Sequence, residues 1–149
     1  MKRLYLCLLL LTTVPAWSDV DPGPLERHVK RIESGIHSLG RQSYTRHNST
    51  GHTTEQYVVK AGSVTDYQYA SDGTLQTEWT LRPNGSLTYE AFYGRRRTKE
   101  RLLEDDRTVS YSSYYRNGRK WEAYLRNKQK GLRAYYVYDQ SGHQLHNDI

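Results

Sequence analysis

The chain has 149 residues, with 22 Lys+Arg against 16 Asp+Glu, which is one domain's worth of mildly basic sequence. Its single cysteine, Cys7, excludes a disulfide scaffold. From Asp19 onward only 21 of 131 residues are Leu, Val, Ile or Phe, a deficit offset by thirteen Tyr and two Trp, so the composition favours aromatic-rich sheets over a helical bundle.

The amino end reads as an address. Met1-Lys2-Arg3 is a short positive stretch, residues 4–14 are an apolar run, and Ala16-Trp17-Ser18 is a small-x-small site. That is the pattern of a secretory signal peptide over 1–18, cleaved near Ser18. The apolar run falls short of the roughly twenty residues that a bilayer span needs. Cys7 begins the run instead of following it, which argues against lipidation. Removing the segment takes away two Lys+Arg and leaves 20 against 16, a net charge of +4. An exported domain without disulfides points to the periplasm.

Residues 19–149 are expected to form one domain. Behind Pro22-Gly23-Pro24, the apolar residues Leu25, Val29, Ile32, Ile36 and Leu39 recur at helical spacing. They predict one amphipathic helix over about 24–39, with Pro24 in its first turn and Gly40 at its stop. From about Tyr57 the period changes to two. Leu75, Thr77, Trp79 and Leu81 alternate with polar residues, as do Leu87, Tyr89, Ala91 and Tyr93. The alternation returns in Val109, Tyr111, Ser113 and Tyr115, then in Trp121, Ala123 and Leu125, and in Leu132, Ala134, Tyr136 and Tyr138. Each of these sets is read as the inward face of a strand. Turn signals such as Asp72-Gly73, Asn84-Gly85, Asn117-Gly118 and Ser141-Gly142 separate the runs. No stretch between strands is long enough for a parallel crossover. The fold class is therefore mainly β, an antiparallel meander of about eight hairpin-connected strands with one N-terminal amphipathic helix.

The hairpins also repeat one another. Tyr69 to Leu75, Leu81 to Leu87, Tyr115 to Arg119 and Tyr138 to His143 share an aromatic or leucine, a polar stretch, an Asn, Asp or Ser, then Gly. Tyr114-Tyr115-Arg116-Asn117-Gly118-Arg119-Lys120 through Tyr138-Asp139-Gln140-Ser141-Gly142-His143-Gln144-Leu145 resembles the MORN-variant repeats of bacterial YwqK-type antitoxin-like proteins. The match is good over 114–145 and degenerate over 67–93, and 94–107 fits no repeat. Lys130-Gly131 lacks the family's usual second glycine-rich step. The resemblance implies MORN-like hairpins and a binding role, with some members acting as immunity proteins against exported toxins. It brings no catalytic residues.

Catalytic constellations are missing from the sequence. His28-Val29-Lys30 begins like a phospholipase D signature, but Gly35 stands where that signature needs aspartate. His47 with His52, and His143 with His146, lack the further ligands a zinc site requires. No nucleophile elbow or phosphate loop occurs. The chain is expected to have no enzyme activity, cofactor or metal.

Surface chemistry remains. Residues 94–101 hold Arg95, Arg96, Arg97, Lys99 and Arg101, five cations that either line an extended hairpin or meet an acidic partner. Arg116, Arg119, Arg126 and Arg133 interleave with Tyr114, Tyr124 and Tyr135, and Arg and Tyr are the residue types enriched at interface hot spots. The alternation places those tyrosines opposite Trp121, Leu125 and Tyr136, on a face that is exposed unless the helix covers it. The expected partner-binding residues are thus Arg95, Arg96, Arg97, Tyr114, Arg116, Arg119, Tyr124, Arg126, Arg133 and Tyr135. The expected partner is a cognate toxin or effector protein, occluded by shape and charge. An envelope module on an anionic membrane surface is the alternative, and export argues against nucleic acid.

Overall fold

The computed structural model describes residues 22–35 and 42–149. One helix, α1 (Gly23–Glu33), precedes ten strands: β1 (Tyr44–His47), β2 (Thr53–Lys60), β3 (Ser63–Tyr69), β4 (Leu75–Leu81), β5 (Leu87–Tyr93), β6 (Arg97–Glu104), β7 (Thr108–Tyr114), β8 (Lys120–Asn127), β9 (Arg133–Tyr138) and β10 (Gln144–Asp148). They form a single antiparallel sheet in sequence order. The expected mainly β meander is therefore present, with ten strands in place of about eight. The run 94–101 is the turn and first part of the second strand of a bulged hairpin between β5 and β6.

Register is nearly free of stagger. One row of direct partners crosses every strand: Tyr44, Tyr57, Asp66, Trp79, Tyr89, Leu102, Tyr111, Tyr124, Tyr135 and Asp148. The turns explain this regularity. At 70–74, 82–86, 115–119 and 139–143 the first residue's N–H bonds the carbonyl four residues on, and a glycine at the fourth position bonds back to the first. An Asp or Asn side chain accepts from the backbone N–H two residues later in each, as Asn117 does from Arg119. Gly118 at φ 85° shows why the fourth residue is glycine, since that left-handed geometry strains any side chain.

At the end of the sheet that carries the 70–74, 115–119 and 139–143 turns, neighbouring turns bond each other, and three of these bonds span 23 residues. Asn48 donates to the Ser71 carbonyl, Asn117 to that of Gln140 and Tyr115 to that of Tyr138. One repeat is thus two strands.

The core lies between α1 and one sheet face. Leu25, Val29 and Ile32 pack on Leu87, Tyr89, Ala91, Leu102, Val109, Tyr111, Tyr124 and Tyr135. Three helix aliphatics could not cover so wide a sheet, so tyrosine rings supply the remaining area.

Two expectations need correction. The helix ends at Glu33, not near Leu39, because Ser34 and Gly35 close its last turn through bonds to the Lys30 and Ile32 carbonyls. A Cβ on Gly35 would stand 3.0 Å from the Trp79 indole nitrogen and 3.1 Å from the Ile32 carbonyl, so a side chain there would have to push its neighbours aside. Ile36, Leu39 and Gly40 lie outside the described residues, as does the signal segment 1–18.

The second correction concerns β8 and β9, whose inward sets are reversed. Tyr124 and Tyr135 are buried, while Trp121, Leu125 and Leu132 are exposed. Tyrosine occurs on both faces of these strands, so apolarity alone does not decide. The charges do: only the Tyr124 face sets Arg126 and Arg133 against Glu33 and Glu26 of the helix.

Candidate functional site

The ten residues expected to bind a partner separate into two groups. Tyr124 and Tyr135 are core residues beneath α1, at 3% and 5% exposure. Arg126 Nη2 lies 2.5 Å from Glu33 Oε1, and Arg133 Nη1 lies 2.7 Å from Glu26 Oε1. This half of the expected surface is the docking site of the helix, where Tyr124, Tyr135 and Arg126 are largely covered and Arg133 stays 57% exposed at its edge. Arg95, Arg96, Arg97, Arg116 and Arg119 are all exposed and gather at the end of the sheet where the turns stack, beside the half-buried Tyr114.

Two of those five arginines are held by backbone carbonyls and a third by a ring, not by acids. Arg97 donates to the Arg116 carbonyl at 2.7 Å, and Arg119 donates to the carbonyls of Gln140 and Ser141. The Arg116 guanidinium sits 5.3 Å from the centre of the Tyr93 ring, a cation–π contact. Among the described residues none of the five is in an ion pair. Arg95 and Arg96 adopt φ of 62° and 57° where the neighbouring turns use glycine. Left-handed backbone costs a non-glycine residue about 1–2 kcal/mol.

A cleft of about 370 Å³ opens beside this end, between the start of α1 and strands β5 to β8. The sequence did not reveal it, because its walls come from the helix and four different strands. Pro24, Leu25 and His28 form one side; Tyr93, Lys99, Glu100, Tyr111, Ser113, Tyr114, Trp121 and Glu122 form the rest. Two of these residues are delivered by β-bulges. The β5–β6 register skips Lys99 and the β7–β8 register skips Trp121, and such an extra residue re-aims its side chain out of the regular alternation. Trp121 and Tyr93 also line a second hollow of about 440 Å³ with Tyr115, Arg116, Asn117 and Gln140. The two hollows share an aromatic ridge.

Glu100 anchors the floor. Its carboxylate accepts from the Tyr89 hydroxyl at 2.9 Å and the Tyr111 hydroxyl at 2.7 Å, and His28 Nε2 lies 2.7 Å from it. Burial alone would raise its pKa, but the bonds from His28, Tyr111 and Tyr89 outweigh burial and hold it at about 2. Burial and the same carboxylate push both phenols upward, so they remain protonated donors. Glu122 is the second acid. It accepts from Tyr135 at 2.9 Å and, at 3.4 Å, from the buried Ser113 hydroxyl. Neither acid is arranged as half of a general acid–base pair, since Glu100 is fully bonded and held strongly acidic. Among the described residues no three His, Cys, Asp or Glu side chains converge for a metal ion.

This arrangement can hold a group by charge and ring contact. No protein-family model matches the chain, and no curated protein matches it.

Proposed function

We propose that the protein is an exported binding protein that neutralises a cognate secreted toxin by occlusion, as an immunity or antitoxin-like protein of MORN-variant type. The observation that carries this reading is the arginine end. Among the described residues Arg95, Arg96, Arg97, Arg116 and Arg119 are exposed and in no ion pair, and Arg116 lines the hollow beside the Trp121–Tyr93 ridge. Exposed arginines beside aromatic rings suit an acidic protein surface, where steering raises the association rate and buried Arg contacts supply affinity. The 23-residue stacking of the hairpins supports the repeat resemblance, and occlusion needs no catalytic group.

Affinity capture tests it. The chain is tagged, exported in its own cells, and its co-purifying partners are identified by mass spectrometry. One stoichiometric partner whose toxicity is suppressed by co-export, with capture lost when Arg95, Arg96 and Arg97 are changed to Glu, is the expected result. Recovery of lipid and abundant envelope proteins alone overturns it. The second reading, a module on anionic head groups of the envelope, rests on the same unpaired arginines. It requires binding that weakens steeply with salt and has no unique protein partner.

A further inference from the structure

We propose that the cleft between the start of α1 and strands β5 to β8 binds a phospho-ammonium zwitterion, with the ammonium group directed at Glu122 and the phosphate at Lys99 and Arg116.

The polarity of the cleft motivates this choice. Its acids lie inward: the Glu100 side chain is 12% exposed and its oxygens already accept from three donors, so it contributes field without a free site. Glu122 differs. Among the described residues it has no cation partner, and its second oxygen receives only the 3.4 Å contact from Ser113. Rings of Tyr93, Tyr114 and Trp121 line the same cleft, and ring faces attract ammonium groups, most strongly when the site is partly desolvated.

The cations lie outward. Among the described residues Lys99 is in no ion pair, and it stands exposed at the rim, delivered there by the β5–β6 bulge. Arg116 is exposed as well, and its contact with the Tyr93 ring fixes it beside the ridge that both hollows share. Ammonium and guanidinium groups so placed suit phosphate oxygens.

A bare anion would meet Glu100 and Glu122, and a bare cation would first meet Lys99 and Arg116. A group carrying both charges, with its cation leading, is repelled by neither wall. A volume near 370 Å³ accommodates such a head group.

The probes are O-phosphocholine and O-phosphoethanolamine, titrated calorimetrically into the exported chain, with choline and inorganic phosphate as single-charge controls. Saturable one-site binding of the zwitterions is expected, with each control weaker by about tenfold or more. Glu122→Gln and, independently, the surface change Lys99→Gln should each weaken it several-fold while the far-ultraviolet circular dichroism stays unchanged. Absence of saturable binding, equal binding of choline or phosphate alone, or unchanged affinity in both variants overturns the proposal. Sedimentation with phosphatidylcholine or phosphatidylethanolamine vesicles distinguishes the source. Pelleting that Glu122→Gln abolishes assigns the site to a lipid head group, and binding of the free probes without pelleting assigns it to a soluble phospho-amine.

Discussion

Nε2 of His28, on the helix, lies 2.7 Å from Oε2 of Glu100 on β6, although 72 residues separate them. That contact joins the two layers at the floor of the cleft, because the same carboxylate binds Tyr89 and Tyr111 of the strands on either side.

The first prediction concerns acid. Glu100 has a folded pKa of about 2 against an ordinary 4.5, so its stabilising contribution is complete above pH 4.5 and is lost as pH falls toward 2. The shift corresponds to about 3 kcal/mol. Glu100→Gln should destabilise the protein at pH 7 by an amount on that order and should flatten the loss of stability between pH 5 and roughly pH 3. Urea titrations of both proteins at the two pH values check this. An identical pH dependence in the variant would mean that other carboxylates control acid unfolding.

Adjacent leucines give the second prediction. Leu102 is fully buried under α1, whereas Leu103 points to the uncovered face and is 47% exposed. Leu102→Ala should cost about 2–5 kcal/mol, and Leu103→Ala should stay within about 0.5 kcal/mol. Thermal or urea denaturation of the pair measures the difference, and equal losses would mean that the helix does not cover the face assigned to it.

The helix ties are unequal, which supplies the third prediction. Arg126 and Glu33 have side chains only 23% and 15% exposed, and burial raises the Glu33 pKa despite its arginine partner. Arg133 is 57% exposed. Arg126→Ala leaves a partly buried carboxylate uncompensated and should cost about 1–3 kcal/mol, whereas Arg133→Ala should cost less than about 1 kcal/mol. Amide hydrogen exchange along Gly23–Glu33 should accelerate more in the first variant. The reverse order would place the main tie at the amino end of the helix.

Much of the sheet could be read from period two and from the Asn-Gly and Asp-Gly turns, since these carry their own geometry. Strands poor in apolar residues were harder. Arg97–Glu104 has charged and apolar residues without alternation, because one side of that strand is an ion-pair surface where Arg101 meets Glu90 at 2.9 Å. Tyr44–His47 is short and polar at the sheet edge. Face assignment failed on β8 and β9, where a bulge moves Trp121 out of phase and tyrosine serves both sides. The cleft was not legible, since His28 and Glu100 become neighbours only through the docking of α1. The arginine end was partly visible as the cation run 94–101, and the fold adds Arg116 and Arg119 to it by stacking successive turns.

The last prediction joins strain to function. Arg95 and Arg96 keep left-handed backbone at the tip of the β5–β6 hairpin, while Gly73 and Gly118 meet the same demand in turns at the same end of the sheet. A turn selected for stability alone would use glycine there as well. Arg96→Gly should therefore raise stability by about 0.5–1 kcal/mol, the relief of left-handed strain less the extra freedom of glycine in the unfolded chain. The same change removes one of five unpaired cations, so capture of the partner should weaken and its dependence on salt should become shallower. Melting temperature and capture yield, measured on the same variant at two salt concentrations, should move in opposite directions. If stability falls with capture, the turn is held by contacts of the Arg96 side chain, and the strained arginines are structural instead of a surface kept for binding.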